Sequence, residues 1–223
     1  MTNRILRAHI RNWIILATLI LSACNRQSGD CTSEELSLIH EADSIMRVLT
    51  IEDSLDRSIL RSKSTDLSIE ALLSPEFTDL SRLMIATVTH PSQEGVGIAA
   101  PQVGINRRVV AVQRFDKPEE PFEIFPNVRI VWASDSKAYG IEGCLSVPDR
   151  REKVLRSQEI VIEYADLDEL RRLKESESHL KHHHIHLNSS RMTTRRDTVR
   201  GFTAVIFQHE IDHLDGVLYI DRL

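Results

Sequence analysis

The run Gln208-His209-Glu210-Ile211-Asp212-His213 puts two imidazoles at i and i+4 with a carboxylate beside the first. An α-helix turns once in about 3.6 residues, so side chains at that spacing leave one face. His209 and His213 could then share one divalent ion, with Glu210 close enough to serve as general base toward a water. The alternative is a helix whose histidines cap a surface or sit satisfied in a core. The flanks favour a helix: Phe202, Val205 and Ile206 recur at helical spacing before the motif, and Gly216 offers a stop just past it. Glu142-Gly143-Cys144-Leu145-Ser146-Val147-Pro148 supplies a soft donor in Cys144. One thiolate and two imidazoles leave the fourth position of a tetrahedral ion open for water. A lone cysteine is otherwise a small buried hydrophobe.

The elements that must position these groups are partly legible. Ser74 followed by Pro75 is a helix start, with Ser at the N-cap and Pro at the first helical position. Phe77, Leu80, Met84 and Ile85 give that helix a buried stripe, and it runs to about Thr89, before Pro91. Residues 107–113, 123–131 and 158–164 are rich in Val and Ile and are strand candidates. Thr32-Ser33-Glu34-Glu35 forms a capping box that opens a short helix, with Leu36, Ile39 and Met46 partly keeping an apolar face. Helices flanking a mixed set of short strands, with the histidine helix near the end, indicate an α+β fold. The chain has 223 residues, a net charge of −5 and 41% hydrophobic residues. That suffices for one packed core, and the absence of a basic excess argues against nucleic acid as a partner.

A third segment, Gly95-Val96-Gly97-Ile98-Ala99-Ala100-Pro101-Gln102-Val103-Gly104, read alone is a glycine-bracketed turn leading into a strand. Taken with the other two, it resembles peptide deformylase, a family marked by GxGxAAxQ, EGCLS and QHExDH in that order. Gly95, Gly97, Ala99, Ala100 and Gln102 match the first motif, Glu142, Gly143, Cys144, Leu145 and Ser146 the second, and the run ending at His213 the third. The resemblance covers roughly residues 48–223. It implies metal-assisted removal of the formyl group from N-formyl-methionyl peptides. Cys144, His209 and His213 would be the metal ligands and Glu210 the general acid/base. The Gln102 side-chain amide and the Leu145 backbone N–H would meet the developing oxyanion. Gly95, Gly97 and Ile98 would line the substrate side, where the peptide adds as an extended strand. The resemblance further implies one divalent metal, Fe²⁺ by family habit, with Zn²⁺ or Ni²⁺ tolerated. The expected fold is mixed short strands around a central metal-binding helix, and the expected working form is a monomer.

The N-terminus points elsewhere in the cell. Arg4, Arg7 and Arg11 precede an apolar run over residues 13–21, followed by Leu21-Ser22-Ala23-Cys24. That order matches an export signal, and its last four residues resemble the lipobox of bacterial lipoproteins. The expected division is a signal peptide over 1–23, a tether with a short helix over 24–47 whose Cys24 carries lipid, and a catalytic domain over 48–223. The partners expected are an N-formyl peptide and, through Cys24, the extracytoplasmic side of a bacterial membrane. The alternative is an uncleaved anchor that keeps the enzyme facing the cytoplasm.

Departures from the family concentrate at about residues 169–199. A polar stretch holds His179, His182, His183, His184 and His186. With no carboxylate or cysteine partner evident, a solvated loop or long hairpin is expected rather than a second metal site. Asp149 stands where the family commonly has glycine. Two competing functions remain at this point: a zinc endopeptidase, which would also use HExxH but would not explain EGCLS, and a non-catalytic binder of formyl peptides.

Overall fold

The computed structural model describes residues 30–181 and 192–223. The apolar run 13–21, Cys24, His182, His183, His184 and His186 lie outside the described residues. Among the described residues no helix is long and apolar enough to cross a membrane.

The chain enters through α1 (Ser33–His40), α2 (Ser54–Leu60) and α3 (Ile69–Leu72), each opened by a side-chain cap from Thr32, Asp53 and Ser68. The α1 capping box forms as its sequence implies, and Ile39 and Met46 lie in the main core. Residues 31–47 are therefore part of the folded body, where a tether and short helix were expected. Helix α4 (Pro75–Val88) starts on the Ser74 cap and buries Phe77, Leu80, Leu83, Met84 and Val88, while Ile85 packs partly buried at the core edge.

Strands β1 (Gly97–Ala99), β2 (Val109–Gln113) and β3 (Phe122–Pro126) form one antiparallel sheet in that order. A one-turn 3-10 helix (Ala100–Val103) follows β1. The candidate strand over 123–131 is two strands, because Asn127 turns the backbone at φ +52° between β3 and β4 (Arg129–Ala133). Sheet two has the order β4-β7-β8, with β7 at Glu159–Ala165 and β8 at Thr194–Arg200. Strands β5 (Lys137–Cys144) and β6 (Val147–Ser157) make a separate two-stranded ribbon. The polar stretch expected as a loop is instead helix α5 (Leu167–Lys181), then residues outside the description, then β8. Leu170, 2% exposed, anchors α5 in the core, and Asp166 accepts the Glu169 N–H at its start.

Helix α6 (Gly201–Leu214) carries the histidine motif and packs against strands of all three sheets. Strand β2 explains the layering: Val109 and Ala111 face a core shared with α4, while Val110 and Val112 face one shared with α6. The α6 C-terminus is a Schellman motif. Gly216, at φ +71°, donates to the His213 carbonyl, and Val217 donates to that of Asp212. Phe202 departs from the periodic reading: it is 55% exposed and leans on Phe115, with ring centroids 5.2 Å apart.

One buried acid ties the N-terminal segment down. Asp56 takes both guanidinium nitrogens of Arg47 at 2.7 Å and the Thr50 N–H at 3.2 Å. The Arg47 hydrogen bond, helped by that amide, holds its carboxyl below the ordinary aspartate value despite burial. A carboxyl whose folded value lies below its unfolded one stabilises the fold above the unfolded value and loses that contribution as pH falls. Asp56→Asn should therefore flatten the decline of Tm below about pH 4 while lowering Tm at neutrality. Parallel wild-type and variant acid limbs in a Tm-against-pH series would refute this.

Candidate metal centre and cleft

The hairpin tip joining β5 to β6 sets Cys144 against α6. Its Sγ lies 3.2 Å from His213 Nε2. A ligand atom from each of Cys144, His209 and His213 lies within 4.8 Å of the others, which is close enough for one ion to reach all three. His209 donates from Nδ1 to Glu142 Oε2 at 2.8 Å, and this leaves Nε2 as the ring's free donor atom. Glu142 is itself clamped by Arg156, through Nε at 2.7 Å and Nη2 at 3.0 Å. Burial alone would raise the Glu142 carboxyl, but His209 and Arg156 pull it down to about 2. Arg156 also reaches Asp212 at 2.6 Å, and Arg222 holds the other oxygen of Asp212 at 2.6 Å. Four alternating charges thus lock the ribbon, α6 and the C-terminal turn around one histidine.

Gln102 comes in from the 3-10 helix. Its Oε1 accepts the Ala99 N–H at 2.8 Å, which turns Nε2 toward Ser146 Oγ at 3.2 Å and Cys144 Sγ at 3.6 Å. The Leu49 and Ile51 N–H groups donate to the Gln102 and Ser146 carbonyls, so one extended segment fixes both loops from behind. Tyr219 stacks on His209 at 5.8 Å and donates to the Arg150 carbonyl.

A cleft of about 880 Å³ opens over these groups, lined by Gly95, Gly97, Leu145 and Glu210 among others. Glu210 is 4% exposed, and its Oε2 has no hydrogen-bond partner among the described residues. Burial pushes its carboxyl up to about 7, with the nearby Glu142 charge adding and His209 opposing. An unpaired carboxyl at the floor of a cleft is costly to bury and suited to carrying a proton.

The family model of polypeptide deformylases covers residues 45–223. The chain belongs to that family. A peptide deformylase of Leptospira biflexa is 35% identical over 172 residues, 74% of this chain and 82% of that protein. One from Roseiflexus sp. is 32% identical over 192 residues, 80% of this chain and 89% of that one. Among solved structures, a K1U-bound class I type b peptide deformylase from Acinetobacter baumannii aligns with a TM-score of 0.63 at 30% identity, covering 81% of this chain and 100% of that chain. The actinonin-bound form of that enzyme aligns at 0.62 and 29%, covering 81% and 99%.

For a deformylase, the glycines have a concrete use. A Cβ on Gly97 would stand 2.6 Å from Glu210 Oε1 and 2.8 Å from Ile206 Cγ2. Gly97 is therefore the space in which the carboxylate sits. Gly97→Ala should retain metal but slow formate release by about 100-fold, the scale of an ångström-sized displacement of a reacting group. Unchanged turnover would show that the carboxylate does not work from this position. Gly95 is tight in the same way, since a Cβ there would meet Val88 at 2.6 Å. Asp149 holds φ +57°, the left-handed region that glycine favours.

The structure brings Gln102, Cys144, Leu145, His209, Glu210 and His213 to one cleft, with Gly95 and Gly97 on its wall. Ile98 does not line it. Its side chain is fully buried in the core shared with α4. Arg156, Asp212, Arg222 and Tyr219 were not foreseen.

Proposed function

We infer that Cys144, His209 and His213 hold the divalent ion with which this deformylase removes the N-formyl group from N-formyl-methionyl peptides, releasing formate. The observation that carries this is the convergence of three donor atoms within 4.8 Å beside a buried, unpaired Glu210. The donor set fits a borderline ion, Fe²⁺ by the family's habit and Zn²⁺ or Ni²⁺ by chemistry. Such an ion supplies Lewis acidity for attack of water on the formyl carbon. Glu210 takes the water's proton and returns one to the leaving amine. Gln102 Nε2 and the Leu145 N–H donate to the oxygen on which charge develops. Ala99 restrains the Gln102 amide from behind, so little reorganisation is needed at that moment. The backbone of Gly97 and Ile98 offers a strand edge to the extended peptide, and α6 is the central element on which both histidines and the acid/base stand.

The protein works, in this reading, as an exported monomer tethered to the membrane by lipid on Cys24. The Arg-flanked apolar run and the Leu21-Ser22-Ala23-Cys24 sequence support that placement. Recovery from the soluble cytoplasmic fraction with an unmodified Cys24 would end it. The activity itself is tested by formate release from a formyl-methionyl tripeptide with metal-loaded protein. Release with the peptide backbone intact is expected. Binding without release would establish a non-catalytic binder, and internal cleavage an endopeptidase.

A further inference from the structure

We propose that the outer face of the β5–β6 ribbon docks on an anionic lipid surface. The register pairs Lys137 with Ser157, Tyr139 with Leu155, Ile141 with Lys153 and Gly143 with Arg151. Successive side chains in a strand alternate, so these eight share one face, which is open to solvent except at its Ser157 end, where Ser157 is 5% exposed. The other face packs around Glu142, Val154 and Arg156, which are buried, while Ala138 at its far end is exposed. On the outer face Tyr139 is 71% exposed, Ile141 68% and Leu155 43%. Three neighbouring large apolar groups in water are unusual in a ribbon whose reverse side already meets the core.

The charges select the occupant. Lys137, Arg151 and Lys153 surround the apolar centre, and no acidic residue stands on that face. This occurs in a chain with a net charge of −5. An amphipathic tyrosine, two aliphatics and a cationic rim match the boundary between anionic headgroups and acyl chains. Ile141 and Arg151 also line the cleft, so docking sets the mouth of the site against the surface. An N-formyl peptide partitioned at that surface would then reach the centre without leaving it. The inference does not depend on lipid at Cys24. A tether would raise the local concentration of the face at the membrane, while the face itself determines orientation.

The test is amine footprinting of the full-length, metal-loaded chain, with and without phosphatidylcholine vesicles holding about 30% phosphatidylglycerol. Lys137 and Lys153 should be modified about fivefold more slowly on these vesicles, with Lys63 and Lys117 unchanged as internal controls. Protection should fade at high salt and be absent on pure phosphatidylcholine. The Tyr139→Ser, Leu155→Ser double variant, at positions outside the cleft lining, should keep its formate release on soluble peptide and lose the protection. Vesicle binding without protection of Lys137 and Lys153 would overturn the proposal, because the N-terminus would then be holding the protein alone. Equal protection on neutral vesicles would overturn it too, as would protection that grows with protein concentration in the absence of lipid, the sign of a second copy on that face. Deformylation that fails in every sample would refute the catalytic reading and leave the footprint interpretable.

Discussion

Glu210→Ala should bind one ion per chain and release formate about 10²–10⁴-fold more slowly than wild type. The side chain is buried, its Oε2 is unpaired among the described residues, and its Oε1 occupies the space left by Gly97. Among the described residues its side chain has no hydrogen bond whose loss would loosen α6. Removing a buried carboxyl that lacks a partner should relieve a penalty of about 1–3 kcal/mol. Tm should therefore hold or rise while turnover collapses. A structural role would produce the opposite pattern, with Tm falling and activity per folded molecule retained. Metal analysis, a melting curve and the formate assay on one preparation separate the two.

Cys144→Ala should fail differently, by losing the ion. Cys144 lies 3.2 Å from His213 Nε2, and the remaining pair of imidazoles is a poor site for a borderline metal. Added metal should raise the Tm of wild type and leave that of the variant nearly unmoved, since only binding to the folded state stabilises. Glu142→Gln gives a graded control. It keeps all three ligands but weakens the hydrogen bond that orients His209, and metal affinity should fall by about 10–100-fold. Equal metal affinity in the Cys144→Ala variant and wild type would remove the thiolate from the site.

The contrast between these residues shows what could be read from the chain. His209, Glu210 and His213 were legible because helical periodicity brings neighbours in sequence onto one face, and Gly216 marks where the helix ends. Cys144 and Gln102 were legible only through motifs, since the site gathers them from a hairpin tip and a 3-10 turn far along the chain. The Glu142–Arg156–Asp212–Arg222 chain left no local signal: Arg156 meets Glu142 across a ribbon and Asp212 across 56 positions. The ribbon itself was missed because its outer face is solvated and its strands carry charges where a Val/Ile run would announce them. The α+β class and helix α4 followed from capping and periodicity. The stretch after β7 misled, because its polarity suggested a loop while Leu167 and Leu170 were enough to seat a helix.

The placement of three donors around one ion carries the rest, and X-ray absorption on the metal-loaded protein tests it most directly. The first shell should contain one sulfur at about 2.3 Å and two imidazole nitrogens at about 2.0–2.1 Å for a zinc-loaded sample, with the sulfur absent in Cys144→Ala. A wild-type shell without sulfur, or one that the Cys144→Ala substitution leaves unchanged, would contradict the account.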